Sequence, residues 1–455
     1  MPTGFAAIPA AVAYRLHNVA LPLCLAATGG LAGDAHGLTR ADITVAEGRI
    51  ASVLPAGTAT PDDDLPAVDC DGGIALPRFV DIHTHLDKGH IWPRRPNPDG
   101  TFMGALDSVA LDREAHWTAE DVFARMDFGL RAAFAHGTGA LRTHLDSVGK
   151  QTAISWPVFT ALREAWAGRI TLQATALFPV DLAVDDEPQF RSIVATVARH
   201  GGVLGGVTFL GATPDDRLRL ALERIVDAAA ARGLDLDLHV DESDAPEARS
   251  LEVIADTVLR LGFAGKVLVG HCCSLALQAE EEARRVSDKL AAAGIAVVSL
   301  PMCNMYLQDR RVGADGLTRA TPRWRGVAPL HELKAAGVPV MVASDNTRDP
   351  FYAYGDLDMI EVLREATRIL HLDHAGDGWV RTVTATPAEM MRLDGTGRIV
   401  AGGAADLVLT RARSWTELFA RPQGDRTVLV AGRPVDTTPP DYRELDGLMH
   451  ATPRT

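Results

Sequence analysis

The feature that most constrains the fold is an alternation carried along most of the chain. Short runs rich in β-branched and apolar residues recur, each separated from the next by a stretch long enough for a helix. Eight such runs can be marked, at 79–85, 140–146, 170–177, 204–210, 234–242, 266–271, 295–300 and 338–345. Among the connections, residues 121–134 place Val122, Phe123, Met126 and Leu130 on one stripe, with Thr118 as an approximate N-cap and Gly137 as a stop. Residues 217–231 repeat the pattern with Leu218, Leu222, Ile225 and Val226, and end at Gly233. Eight strands joined by crossover helices predict an α/β fold, a closed (β/α)8 barrel of the TIM type.

The two ends break the alternation. Residues 42–45 and 49–54 read as short strands joined at the turn Glu47-Gly48, and residues 406–410 and 427–430 as another set before the turn Ala431-Gly432. No helical stretch separates them. The expected organisation is therefore residues 1–75 and 395–455 contributing a small β-sandwich domain, with the barrel over residues 76–394. The Pro-rich tail from Pro434 is expected to be loosely ordered, and Asp62-Asp63-Asp64 to be a solvated loop. Residues 1–14 read as a loose leader and not a secretory signal, since no Lys or Arg precedes Arg15.

Composition excludes several classes of partner. With 47% apolar and 23% charged residues the chain is ordinary globular protein. Its 45 basic against 59 acidic residues leave a net charge of −14, which disfavours nucleic acid. No uncharged apolar run reaches the roughly 18–20 residues that span a bilayer. The five cysteines, Cys24, Cys70, Cys272, Cys273 and Cys303, form no disulfide framework and fit a reducing cytoplasm.

The chemistry gathers at the strand ends. His83 and His85 close the first run two residues apart, so they share one side of the strand. Two imidazoles on one face are half of a divalent-metal site, or else two hydrogen-bonded core histidines. The fifth run, Leu234 to Glu242, alternates leucines with Asp235, Asp237, His239 and Asp241. It delivers a third histidine near its end with Glu242 just beyond. The sixth run ends at His271 and the eighth at Asp345-Asn346. Enzymes of this fold carry their sites on the carboxyl rim of the strands, and His, His, His and Asp ending four separate strands point to a metal-dependent active site.

These stretches resemble the amidohydrolase superfamily, in the branch of the bacterial cytosine deaminases and the N-alkylammelide hydrolases. The resemblance rests on the segments beginning Phe79-Val-Asp-Ile-His-Thr-His-Leu-Asp-Lys88, Arg142-Thr-His-Leu-Asp146, Leu238-His-Val-Asp-Glu242, Val269-Gly-His271 and Ala343-Ser-Asp-Asn-Thr-Arg-Asp-Pro350. It implies that His83, His85, His239 and Asp345 bind one metal ion, zinc or ferrous iron. Asp345 would also take the proton of the attacking water, His271 would orient the hydroxide, and Glu242 would shuttle a proton. It further implies a hydrolytic deaminase of a small N-heterocycle and a possible homo-oligomer.

Substrate contacts are expected from His144, Asp181, Asn304, Asn346 and Phe351; His144 also fits a buried hydrogen-bonded residue. Gln308 is a further candidate for the mouth, and Asp87 and Lys88 either touch substrate or pair with each other. The family's cytosine deaminases carry a Gln where this chain has Val180, after Phe178-Pro179, and a second acid where it has Asn346. Both departures argue against cytosine itself. The competing readings are removal of an alkylamine from a triazine, opening of a cyclic amide, and an inactive binding protein on the same fold. The small zinc deaminases of the other fold need a Cys-x-x-Cys motif, which this sequence lacks.

Overall fold

The computed structural model describes residues 5–26, 30–58, 65–208, 213–313, 318–373 and 378–450. The acidic run at 62–64, residues 1–4 of the expected leader and the end of the fourth expected strand, at 209–210, lie outside the described residues. Among those described, eight parallel strands follow the expected order: β1 Phe79–Thr84, β2 Thr138–Asp146, β3 Thr171–Leu177, β4 Leu204–Val207, β5 Leu236–Val240, β6 Val267–His271, β7 Ile295–Ser299 and β8 Val340–Val342. They form one sheet of order β1-β2-β3 and one of order β8-β7-β6-β5-β4. Single parallel bridges link the sheets on both sides, Thr175 to Val203 and Pro179 to Val207 on one, Thr84 to Asp345 on the other.

Helices fill the connections. Helix α1 spans Phe102–His116 and α2 spans Ala119–Ala135, where Thr118 accepts a hydrogen bond from the Asp121 backbone N–H as its N-cap. Val122, Met126 and Leu130 are buried as expected, but Phe123 is exposed. At 100° per residue it sits at the far edge of the buried face, which is centred on Arg125, Gly129 and Ala133. The helix Asp216–Ala230 buries Leu218, Leu222, Ile225 and Val226 together.

The chain ends build two four-stranded sheets. One holds Ala13–Pro22, Leu38–Ala46, Arg49–Pro55 and Ala67–Asp69. The other holds Ala75–Pro77, Leu407–Leu409, Thr427–Val430 and Arg433–Pro434. Glu47 and Gly48 both take positive φ, at 52° and 77°, the turn that suits the twist of a two-residue hairpin. Leu16, Ile43, Val45, Leu407, Leu409 and Leu429 share one apolar cluster across the two sheets.

The C-terminal tail departs from expectation. Instead of trailing loosely, residues 441–449 form a capped helical turn in which Asp441 and Glu444 cap each other, and Leu445 and Met449 pack on Phe128 of α2. Arg131 pairs with Glu444, and the Tyr442 hydroxyl donates to Asp356. Apolar residues spaced four apart at 445 and 449 are what the proline-rich composition concealed.

A buried ion pair ties the C-terminal sheet to the helical layer. Arg426 donates to both Asp358 oxygens at 2.7 and 2.6 Å, and Asp358 N-caps the helix Met359–Leu370. Burial disfavours the Asp358 charge, but Arg426 outweighs it and holds the carboxyl below its ordinary value. A depressed carboxyl stabilises the fold above the unfolded pKa, about 4, and that contribution is lost as pH falls through the folded value. Asp358→Asn is therefore expected to cost about 3–5 kcal/mol near neutral pH. Unfolding curves across pH should show the gap from the parent narrowing below about pH 4; a constant gap would contradict the pairing.

Candidate active site

The carboxyl ends of β1, β5, β6 and β8 bring the expected residues to one point. His239 Nε2 lies 3.2 Å from the Nε2 atoms of both His83 and His85. Asp345 Oδ1 stands 3.5 Å from His83 Nε2 and 3.2 Å from His85 Nε2. All four side chains are buried. Burial, reinforced by neighbouring positive charge and by the other imidazoles, pushes the three histidines well below the ordinary imidazole range, so they are neutral. Among the described residues, no N–H or O–H group donates to either Asp345 oxygen.

Nitrogen and oxygen donors at ~2.0–2.1 Å around a tetrahedral ion are separated by roughly 3.3 Å, the spacing seen here. The donor set and its spacing therefore fit a divalent metal. His83, His144 and Asp237 also approach one another, but Arg142 already donates to Asp237 at 2.9 Å. His144 lies beneath the cluster, 4.1 Å from the His83 ring centre to centre, and does not reach the cavity wall.

Local backbone aims these groups. Ser344 N–H donates to Asp81 in the middle of β1, and Asp345 N–H donates to the His83 carbonyl at 2.8 Å. His271 and Asp345 both hold positive φ, at 71° and 63°. Such conformations cost about 1–3 kcal/mol each and persist where surrounding contacts enforce them. Gly270 is needed for close approach, since a Cβ there would lie 2.9 Å from His83 Cε1.

Glu242 and His271 are held by Asn304. The Asn304 amide donates to Glu242 Oε1 at 2.9 Å and meets His271 Nδ1 at 3.0 Å. With the amide donating to Nδ1, the His271 proton sits on Nε2, which has no other partner. Burial, and next the Asp345 charge, pushes the Glu242 carboxyl well above its ordinary value, while burial pushes His271 down to about 3. Asn304 thus reaches the site through Glu242 and His271 and does not line the cavity itself.

An open cavity of about 210 Å³ leads away from this cluster. Helix α1 supplies Phe102, Leu106 and Val109, the end of β3 supplies Leu177, Phe178 and Pro179, and Phe351 follows β8. Its polar rim consists of Lys88, Arg113, Asp146 and Asn346 beside the residues already named. Asn346 donates to Asp349 at 2.7 Å. Asp181 is placed elsewhere: it precedes the short helix Leu182–Asp185 and faces Arg217, and Val180 is buried off the cavity against Gly206. Gln308 reaches the Glu242 carbonyl at 3.5 Å and a neighbouring surface groove, not this cavity. Asp241 turns away, accepting from the Ser250 and Leu251 N–H groups that start the next helix.

Arg113 was not singled out from the sequence, although Phe102, Leu106, Val109 and Arg113 recur at the spacing of one helical face. Asp81 was missed as well, though an acid within Phe79-Val80-Asp81-Ile82 is a visible anomaly in a buried strand.

Comparison with known proteins agrees with this arrangement. The model of the Amidohydrolase family matches residues 178–436, and the chain belongs to that family. It is an enzyme that hydrolyses carbon–nitrogen bonds. It is 54% identical over 451 residues to a pterin deaminase from Rhizobium rhizogenes, covering 99% of this chain and 100% of that one. Its structure resembles a 5-methylcytosine deaminase from Klebsiella pneumoniae liganded with phosphonocytosine, with a TM-score of 0.77 at 24% identity over 92% of this chain and 97% of that one. It also resembles the N-isopropylammelide isopropylaminohydrolase from Burkholderia multivorans, with a TM-score of 0.69 at 26% identity over 94% and 99% of the two chains. These are the two kinds of protein that mark the branch read from the sequence.

Because Gly270 abuts His83, Gly270→Ala is expected to tilt that ring and weaken metal binding by about 10–100-fold. Competition against a chelator measures this directly; unchanged affinity would contradict the placement of His83.

Proposed function

We propose that the chain is a metal-dependent hydrolytic deaminase of a small amino-bearing N-heterocycle, with pterins as the substrate class. The observation that carries this is the neutral three-histidine and aspartate cluster with Glu242 beside it, opening onto an apolar slot, in a chain 54% identical over its length to a pterin deaminase. The fold reading that goes with it is a closed (β/α)8 barrel over about residues 76–394. The bridges on both sides of the two parallel sheets support closure. The apolar cluster common to the terminal sheets supports a small β-sandwich domain from residues 1–75 and 395–455.

His83, His85, His239 and Asp345 would hold one divalent ion, zinc or ferrous iron. A metal held there supplies a water molecule acidified from 15.7 toward roughly 7. Asp345 accepts that water's proton on its free carboxylate oxygen. His271 presents its Nε2–H to the attacking oxygen, and Asn304 fixes the ring that carries it. Glu242, protonated in its buried setting, gives its proton to a ring nitrogen, then takes the proton of the new ring hydroxyl and hands it to the departing amine; the proton held by Asp345 afterwards restores Glu242. The ring carbon gains an oxygen and loses its nitrogen as ammonia. The apolar wall, including Phe178 and Phe351, encloses the ring and excludes bulk water.

Val180 removes the side-chain amide that reads cytosine in relatives of this branch, which supports a different ring. Alkylamine removal from a triazine is the second reading. It is favoured by the Asp345-Asn346 pair, by which this chain resembles the N-alkylammelide hydrolases. A panel of pterin, cytosine and N-isopropylammelide with metal-loaded protein separates the two. Ammonia release with kcat/KM highest for pterin is expected; preferential release of isopropylamine would overturn the assignment. Glu242→Gln should keep its metal and lose at least about 100-fold in turnover. Full activity in that variant would refute the proton-shuttle role.

A further inference from the structure

A heteroaromatic ring seated with its amino group toward Glu242 has another polar edge. Buried without a partner, that edge would cost the complex dearly. The cavity offers few partners beyond the reacting groups: Lys88, Arg113, Asp146 and Asn346. Asn346 spends one of its two amide N–H groups on Asp349, and its oxygen faces Cys303 Sγ at 3.7 Å. Both oxygens of Asp146 are already engaged by cations, Lys88 Nζ at 3.2 Å on one and Arg113 at 2.6 Å on the other. Lys88 differs. Its ammonium carries three donors, and among the described residues its ion-pair partner is Asp146, with the face of Phe351 5.3 Å away. Donors are therefore left over at the cavity wall, and each oxygen of Asp146 already faces a cation.

The fold also fixes where those donors stand. Arg125, wholly buried in α2, donates to the carbonyls of Asp87 and Gly89, the two residues flanking Lys88, at 2.5 and 3.1 Å. Asp121 holds the Arg125 guanidinium, and Arg94 holds Asp121 in turn. Asp87 accepts from the Asp146 N–H at 2.9 Å, which sets the backbone of the carboxylate opposite Lys88.

We infer that Lys88 is a specificity-determining residue that donates a hydrogen bond to a ring carbonyl oxygen of the substrate, so that the pocket selects an oxo over an amino group at that position. This rests on the deaminase reading above and names what reads the ring's second edge. An amino group there would turn its own N–H toward the Lys88 cation, where a carbonyl oxygen would instead accept from it. Among pteridines the discriminating pair is pterin, which carries a 4-oxo group, and 2,4-diaminopteridine, which carries an amine in its place.

The test compares kcat/KM for loss of the 2-amino group from these two compounds, with products resolved chromatographically, in the parent, Lys88→Met and Lys88→Gln. The ratio within one variant is independent of the fraction of active protein, and metal content verifies the histidine cluster. The parent should favour pterin by about 10–100-fold, the scale of a hydrogen bond to a charged donor. Lys88→Met should bring the ratio to within a few-fold of unity, and Lys88→Gln, which keeps a neutral donor, should fall between. Should Lys88→Met fail to fold, the Lys88→Gln ratio decides alone. A parent-like ratio in a metal-loaded variant overturns the Lys88 assignment and leaves the function standing. A parent that releases ammonia from neither compound overturns the function, and this inference with it.

Discussion

The structure turns on three uncharged, buried imidazoles, with His239 Nε2 only 3.2 Å from the Nε2 atoms of His83 and His85. Lone pairs so close repel unless something positive lies among them, and burial denies the rings the protons that would otherwise serve. Asp345, with both oxygens unspent, completes a set of donors that only a cation satisfies. Burying such a set without its ion would be costly, so the surroundings must hold it rigidly.

Each device around the cluster serves that rigidity. Asp81 and the His83 carbonyl tie the end of β8 to β1, which brings Asp345 across from two histidines far away in sequence. Gly270 clears room for His83, and the positive φ of His271 and Asp345 turns side chains that a regular strand would send elsewhere. Asn304 then joins the proton-carrying Glu242 to His271 in one hydrogen-bonded unit. Glu242 and His271 are thus anchored by a different side chain from those that hold Asp345 beside the histidines.

Much of this was legible in the sequence, because strands announce themselves and fix side-chain direction with a period of two. His83, His85 and His239 fell where that period placed them, while His271, Asp345 and Glu242 were legible only as residues at strand ends, the first two turned by positive φ. The reading weakened where strands ended. Asp241 has φ of 50° and points to a helix start, and Asp181 opens a helical turn toward Arg217, since past the strand the period no longer governs. His144 obeyed its strand but faces the underside of the cluster. Asn304 was read as a substrate contact, whereas its neighbours across the site decide its work. The docked tail was hidden because helical faces in short, polar segments give weak patterns, and Arg113 because a charged residue ending an apolar helical face reads as solvated surface.

The measurement that bears most directly on the central claim is X-ray absorption at the metal edge of the metal-loaded protein. The account predicts one ion per chain with three imidazole nitrogens at ~2.0–2.1 Å and an oxygen donor, and loss of the imidazole signal when His239 is replaced. A metal ligated chiefly by sulfur, or an imidazole signal that survives that replacement, would contradict it.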